Sequence, residues 1–121
     1  MKLERLEYAL SVCKLADVES IDLDRDFYFI GRTDSEISLV CRTEFAPDEA
    51  REREDGWRAF RISGQLDFSL IGVLSRISGI LAESGVGIFA VSTYDTDYIL
   101  VKEESFEKAL DALRAEGYEI E

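Results

Sequence analysis

The 121-residue sequence predicts an α+β fold with elements in the order β-α-β-β-α-β over residues 57–121. Two observations predict it: two amphipathic helical patterns, and apolar stretches of strand length before, between and after them. Two βαβ units interleaved in this order form a four-stranded antiparallel sheet with both helices on one face. The predicted fold class is therefore a ferredoxin-like sandwich.

The first strand and helix of this pattern lie in residues 57–85. Phe60 and Ile62 share one face of a short strand, and a polar turn follows. Ser69 is the expected N-cap of the helix, because its hydroxyl can accept a hydrogen bond from a free amide of the first turn. Gly85 is expected to end the helix. Its apolar residues follow the spacing of a helix with one buried face, namely Leu70, Val73, Leu74, Ile77 and Leu81.

The remaining elements of this half follow in chain order. Residues 86–93 are nearly all apolar, which predicts a strand buried on both faces. Residues 97–102 are expected to return antiparallel to it. The second helix is predicted over residues 105–116, and residues 118–121 form a terminal strand.

The N-terminal half shows a reduced version of the same order. Residues 7–15 read as a strand, and residues 27–31 and 36–42 form a probable hairpin. Residues 46–56 are interpreted as one or two solvated helical turns at the boundary between the halves. We therefore predict two domains, a degenerate half over residues 1–56 and a complete one over residues 57–121, related by a weak repeat of about sixty residues.

The charge balance excludes two classes of partner. With 14 Lys and Arg against 26 Asp and Glu, the formal net charge is −12, which argues against nucleic acid and against anionic membranes. The charge is either a means of solubility or, in part, a set of carboxylates that holds a cationic ligand. No apolar run reaches the length of a membrane span and no leader is evident, so the expected location is the cytoplasm.

Residue types also limit the chemistry. The chain contains no histidine, so the commonest general base and the commonest transition-metal ligand are missing. Cys13 and Cys41 have no CxxC companion and are interpreted as free, partly buried thiols on strands. No phosphate-binding GxxxxGK[ST] loop occurs. We expect no enzymatic activity, no cofactor and no metal.

The junction between the first strand and helix of residues 57–85 is the candidate ligand site. Backbone amides of Gly72 and Val73 near a helix N-terminus suit a carboxylate. A glycine inside a helix costs about 1 kcal/mol relative to alanine. Two explanations for Gly72 remain open: close approach by a ligand, or tight packing of the helix on the sheet.

Three aspartates could hold the ammonium group of a ligand, namely Asp67, Asp95 and Asp97. Charge-assisted hydrogen bonds of this kind contribute about 1.5–3 kcal/mol each. The alternative is structural, with Asp67 capping the turn and Asp95 and Asp97 shaping a hairpin. The sequence alone leaves both the ligand-binding and the structural interpretation of these aspartates open.

Three runs of sequence, residues 66–74, 81–89 and 92–101, resemble the ACT domain. The resemblance is closest to small tandem-ACT proteins related to the aspartokinase regulatory region and to cytosolic arginine sensors. It implies that the loop 67–73, including Ile71, supplies backbone groups to a ligand. It also implies a facing strand and a polar end of the site, formed by Gly87, Ile88, Phe89, Ser92, Thr93, Asp95 and Asp97.

The same resemblance implies a function. The expected activity is non-catalytic binding of a small molecule, an amino acid, by a regulatory module that acts through the ACT–ACT interface. A homodimer is expected, and residues 118–121 are expected to pair with the N-terminal half. The alternative is a protein-interaction or structural ACT module that has lost its ligand.

Overall fold

A computed structural model describes residues 1–64 and 71–121. The predictions for Asp67, Ser69 and Leu70 therefore lie outside the described residues. The chain divides into two compact units. Unit 1 comprises Met1–Glu7 and Arg58–Glu121, and unit 2 comprises Tyr8–Trp57.

Eight strands and two α-helices make up the described structure. In chain order they are β1 (Lys2–Arg5), β2 (Leu10–Leu15), β3 (Tyr28–Arg32), β4 (Ile37–Arg42), β5 (Glu52–Ile62), α1 (Val73–Glu83), β6 (Phe89–Ser92), β7 (Asp97–Lys102), α2 (Phe106–Ala115) and β8 (Glu119–Ile120). Two 3₁₀ turns, Thr43–Phe45 and Glu103–Ser105, follow β4 and β7. In the described residues no helix is long and apolar enough to span a membrane.

Unit 1 contains a mixed sheet in the order β6-β7-β5-β1-β8. β1 runs antiparallel to β5, with Leu3 opposite Ile62, and parallel to β8, with Leu3 opposite Ile120. β1 was not predicted, because Leu3 is the only apolar residue of Lys2–Arg5. The terminal strand β8 thus pairs with an N-terminal strand that itself belongs to unit 1.

Both helices of unit 1 share one core with its sheet. Residues of α1, α2, β5 and β7 meet in this core, and the fully buried ones include Phe60, Ile62, Ile77, Leu81, Ile99, Val101, Leu110 and Leu113. A mixed sheet with two packed helices fits the predicted ferredoxin-like class. The β7 prediction over residues 97–102 is confirmed, and α2 begins and ends within one residue of its prediction.

Unit 2, in which every residue is described, contains no α-helix. Its strands follow the order β3-β4-β2-β5, all antiparallel. One cluster of buried residues in this unit consists of Cys13, Leu15, Ile37, Leu39 and Cys41. Short loop segments, rather than helices, supply the side chains packed against that cluster, for example Ile21 and Ala46.

The hairpins β3–β4 and β6–β7 have the same register, displaced by 60 residues. Phe29 lies opposite Val40, and Phe89 lies opposite Leu100. The turns match too: the Thr33 amide donates to the Glu36 carbonyl oxygen over 2.9 Å, as does the Thr93 amide to that of Thr96. A 3₁₀ turn follows each hairpin. Hairpin and turn are thus built alike in both units.

The start of α1 differs from the prediction. Its N-cap is Gly72 (φ 80°, ψ 5°), so Gly72 is not inside the helix as predicted. The left-handed conformation of Gly72 breaks the helical path, and glycine adopts it without steric cost. The predicted end is confirmed, because Gly85 (φ 74°) follows the C-cap residue Ser84.

The predicted helical turns over residues 46–56 are wrong: residues 46–51 form no helix and contain a single turn, in which the Ala50 amide donates to the Pro47 carbonyl oxygen over 3.3 Å. Residues 52–56 belong to β5, which pairs with β2 through Glu54 opposite Val12 and Glu52 opposite Lys14. Their strongly polar composition hides the strand, because charged side chains on an exposed strand show no apolar alternation.

The predicted burial of residues 86–93 on both faces is wrong as well. Only Phe89–Ser92 form β6, and their burial alternates between half-buried and exposed. β6 pairs with β7 alone in the described sheet, so it is an edge strand of unit 1.

Candidate functional site

The start of α1 is the part of the predicted ligand site that the structure describes best. In the described structure, no side chain caps the N-terminus of α1. The first hydrogen bond of the helix runs from the Arg76 amide to the Gly72 carbonyl oxygen over 2.9 Å. Among the described residues, no atom lies within 4 Å of the position that a Cβ of Gly72 would occupy. The explanation by tight helix–sheet packing is therefore wrong, and the positive φ accounts for glycine here.

A cavity of about 330 Å³ lies at this helix terminus. Its lining combines the start of α1 with the residues that follow α2: Met1, Ile71, Gly72, Val73, Arg76, Glu116, Gly117 and Tyr118. The guanidinium of Arg76 and the carboxylate of Glu116 belong to exposed residues, whereas Tyr118 is buried. The lining thus includes the cation Arg76 from the first turns of α1 and the anion Glu116 from the end of α2.

The partial charges of the helix termini add to the charges of Arg76 and Glu116. The N-terminus of α1 carries a partial positive charge and lies on the side of Arg76. Glu116 is the C-cap residue of α2, so it adds a full negative charge where the backbone is already partly negative. The lining of the cavity thus carries charges of both signs, which suits a zwitterion.

The structure brings together only part of the predicted site. Ile71, Gly72 and Val73 line the cavity, and the Ile71 side chain is 96% exposed. Arg76 and Glu116 were not predicted. Arg76 could have been found as the first cation of the helix, but Glu116 lies near the start of α1 only because the chain folds back.

The predicted residues at the end of the β6–β7 hairpin bond to one another. The Ser92 hydroxyl donates to Asp97 Oδ1 over 2.5 Å, and the Thr93 hydroxyl donates to the Thr96 carbonyl oxygen over 3.0 Å. These contacts support the alternative in which Asp97 shapes the hairpin. The buried Thr96 hydroxyl also donates to the Ile62 carbonyl oxygen over 2.9 Å, so the hairpin end lies beside the end of β5.

The predicted facing strand lies apart from the described lining of the cavity. Gly87 is exposed ahead of β6, Ile88 packs against the core of unit 1, and Phe89 pairs with Leu100. Asp95 is exposed in the turn between β6 and β7. These residues remain predicted ligand contacts through the resemblance alone.

The two cysteines are free and buried on β2 and β4, as predicted. Burial raises the pKa of Cys13 above its usual value, and burial together with Cys13 raises the pKa of Cys41 to about 11. Both thiols are therefore neutral near pH 7. In residues 1–64 and 71–121, no cluster of three Cys, Asp or Glu side chains could hold a metal ion.

Comparisons with known proteins agree with this architecture. Residues 52–115 match the family model of the ACT domain. The cytosolic arginine sensor for mTORC1 subunit 1 of Homo sapiens is 36% identical over 100 residues, which cover 75% of this chain and 30% of the relative. The chain thus spans less than a third of the curated relatives it matches.

Solved structures extend the likeness to nearly the whole chain. Protein Atu0741 from Agobacterium tumefaciens has a TM-score of 0.86 and 32% identity, covering 99% of this chain and 91% of that one. The regulatory subunit of aspartate kinase from Thermus thermophilus has a TM-score of 0.65 at 11% identity, covering 93% and 95%, a likeness of fold. The chain belongs to the ACT domain family.

Proposed function

We propose that this protein is a non-catalytic regulatory module that binds a free amino acid at the N-terminus of α1. The observation that carries the proposal is the cavity at this terminus, whose lining includes both Arg76 and Glu116. The match to an arginine sensor supports an amino acid as the ligand class.

The chemistry of the cavity matches both polar groups of an amino acid. The ligand carboxylate would accept hydrogen bonds from the amides at Gly72 and Val73 and pair with Arg76. The ligand ammonium would pair with Glu116. A volume of about 330 Å³ lies at the small end of ligand sites, about 300–1,000 Å³, which favours a molecule of amino-acid size.

Regulation would proceed by population shift, because a ligand that prefers one arrangement of paired ACT units stabilises it. We propose a homodimer as the paired form. We also propose a tandem origin, with a degenerate N-terminal half over residues 1–56, supported by the 60-residue displacement between the two hairpins.

The test is a thermal-shift screen of the full chain against the standard amino acids. Ligand at a hundred times its Kd adds about 2.7 kcal/mol, which raises the Tm by several degrees. Arg76→Gln and Glu116→Gln should each remove the shift. Arg32→Gln and Glu104→Gln are matched controls, because both residues are exposed and lie outside the described cavity lining.

The second candidate is an ACT module that binds a protein and has lost its ligand. Ile71 is 96% exposed beside the cavity, and a protein partner that covered it would gain the free energy of burying its apolar side chain. A flat amino-acid screen would favour this candidate. A shift that survives both cavity variants would reject the proposed site and place the amino acid at another one.

A further inference from the structure

Unit 2 contains a cavity of its own, of about 340 Å³. Leu39 and Cys41 of β4 form its floor, and the loop segments 20–28 and 44–48 form its walls. At the positions 60 residues later, Ile99 and Val101 are completely buried in the helix-packed core of unit 1. The space that helices fill in unit 1 is thus left partly open in unit 2.

The floor of this cavity is uncharged. Leu39 is apolar, and burial keeps the Cys41 thiol neutral by raising its pKa to about 11. Charge is confined to the walls, where Asp22, Glu44 and Asp48 face a single Arg25. Three carboxylates against one guanidinium favour a cationic occupant.

Arg25 shows what the cavity can hold. Its guanidinium carbon lies 3.6 Å from the centroid of the Phe45 ring, and its Nε lies 3.4 Å from Asp22 Oδ2. Both partners line the cavity. An aromatic face combined with a carboxylate is the arrangement that recognises planar organic cations.

We propose that this cavity is a second ligand site, which binds a small organic cation through a guanidinium group that displaces Arg25 from Phe45 and Asp22. When no ligand is bound, the Arg25 guanidinium occupies the position beside Phe45 and Asp22, and it therefore competes with the ligand for these two residues. The exposure of Arg25 and Asp22, with 47% and 57% of their side chains accessible, leaves Arg25 room to move aside. This site is independent of the amino-acid site proposed in unit 1.

The test uses NMR titration of the isotope-labelled full chain with ethylguanidinium, compared with its neutral analogue ethylurea and with tetramethylammonium. Ethylguanidinium should shift amide signals of residues 20–28 and 44–48, whereas ethylurea should not. Arg25→Ala should tighten the binding by about fivefold, because a cation–π contact and an exposed ion pair no longer compete.

Two matched variants sharpen the test. Arg51→Ala removes another exposed arginine of unit 2 that does not line this cavity, and should leave the affinity unchanged. Arg76→Gln should also leave it unchanged, which separates this site from the one in unit 1. Equal binding of ethylurea or tetramethylammonium, unaltered or weaker binding in Arg25→Ala, or signal shifts confined to unit 1 would each overturn the proposal.

Discussion

Units 1 and 2 each contain a hairpin with the same register, but different elements cover the two hairpins. In both units the hairpin register and the threonine-closed turn agree at a spacing of 60 residues. Unit 1 covers its sheet with α1 and α2, and its core residues on β7 are fully buried. Unit 2 covers its sheet with loop segments and retains a cavity above β4. A conserved register therefore does not require conserved packing.

The largest expected contrast is in the two cores. Ile99→Ala removes a side chain packed on all sides in unit 1 and should cost about 3–5 kcal/mol. Leu39→Ala, at the matching position of unit 2, should cost about 2 kcal/mol, because one side of Leu39 already faces a cavity. Urea unfolding of each variant measures the difference. Equal costs would show that the loops of unit 2 pack as tightly as helices.

Alkaline pH should weaken unit 2 selectively, because both thiols lie there. The pKa of Cys41 is raised from 9.0 to about 11 in the folded protein, so its neutral form is favoured. The contribution of the neutral thiols to the free energy of unfolding is fully present below pH 9. It is lost as pH rises toward 11, by at most about 1.4 kcal/mol per pH unit for each thiol.

Denaturation at pH 8 and pH 10.5 measures this alkaline loss. Cys41→Ala should reduce the loss relative to the unsubstituted chain. An unchanged pH dependence in that variant would assign the loss to tyrosines and lysines instead.

Two glycines of the predicted ligand site should respond with opposite sign. Gly72→Ala places a Cβ on a residue with φ 80° and should cost about 1–2 kcal/mol, although no atom of the described residues obstructs that Cβ. Gly87→Ala has equal space and an ordinary φ, so it should stabilise by about 0.4–1 kcal/mol through the unfolded chain. Denaturant midpoints of both variants test this. A loss at Gly87 would contradict it.

The smallest contrast concerns the hairpin ends. Thr96→Val removes the buried hydrogen bond to the Ile62 carbonyl oxygen and should cost about 1 kcal/mol. The matching residue of unit 2, Glu36, is exposed, and Glu36→Ala should change the stability by less than about 0.5 kcal/mol. Thermal melting of both variants would reveal whether only the turn of unit 1 is anchored by its side chain.

Local signals were enough for the elements that their own residues define. The period of α2, the apolar run of β7 and the glycine after α1 each lie within one short segment, so the sequence predicts them closely. β1 and the first half of β5 were not predicted as strands, because pairing partners far along the chain stabilise them rather than their own apolar pattern. Long-range hydrogen bonding overrode weak local preference there.

The candidate site divides in the same way. The sequence alone predicted ligand contacts at Gly72 and Val73, because glycine and a helix start are local features. Only the tertiary structure showed that Gly72 is a left-handed N-cap and that Arg76 and Glu116 line one cavity. Forty residues separate those two charges along the chain, and the packing of α1 against α2 places them together. The sequence determines which charged side chains are present. Only the packing of the helices determines that two charged residues forty positions apart line the same cavity.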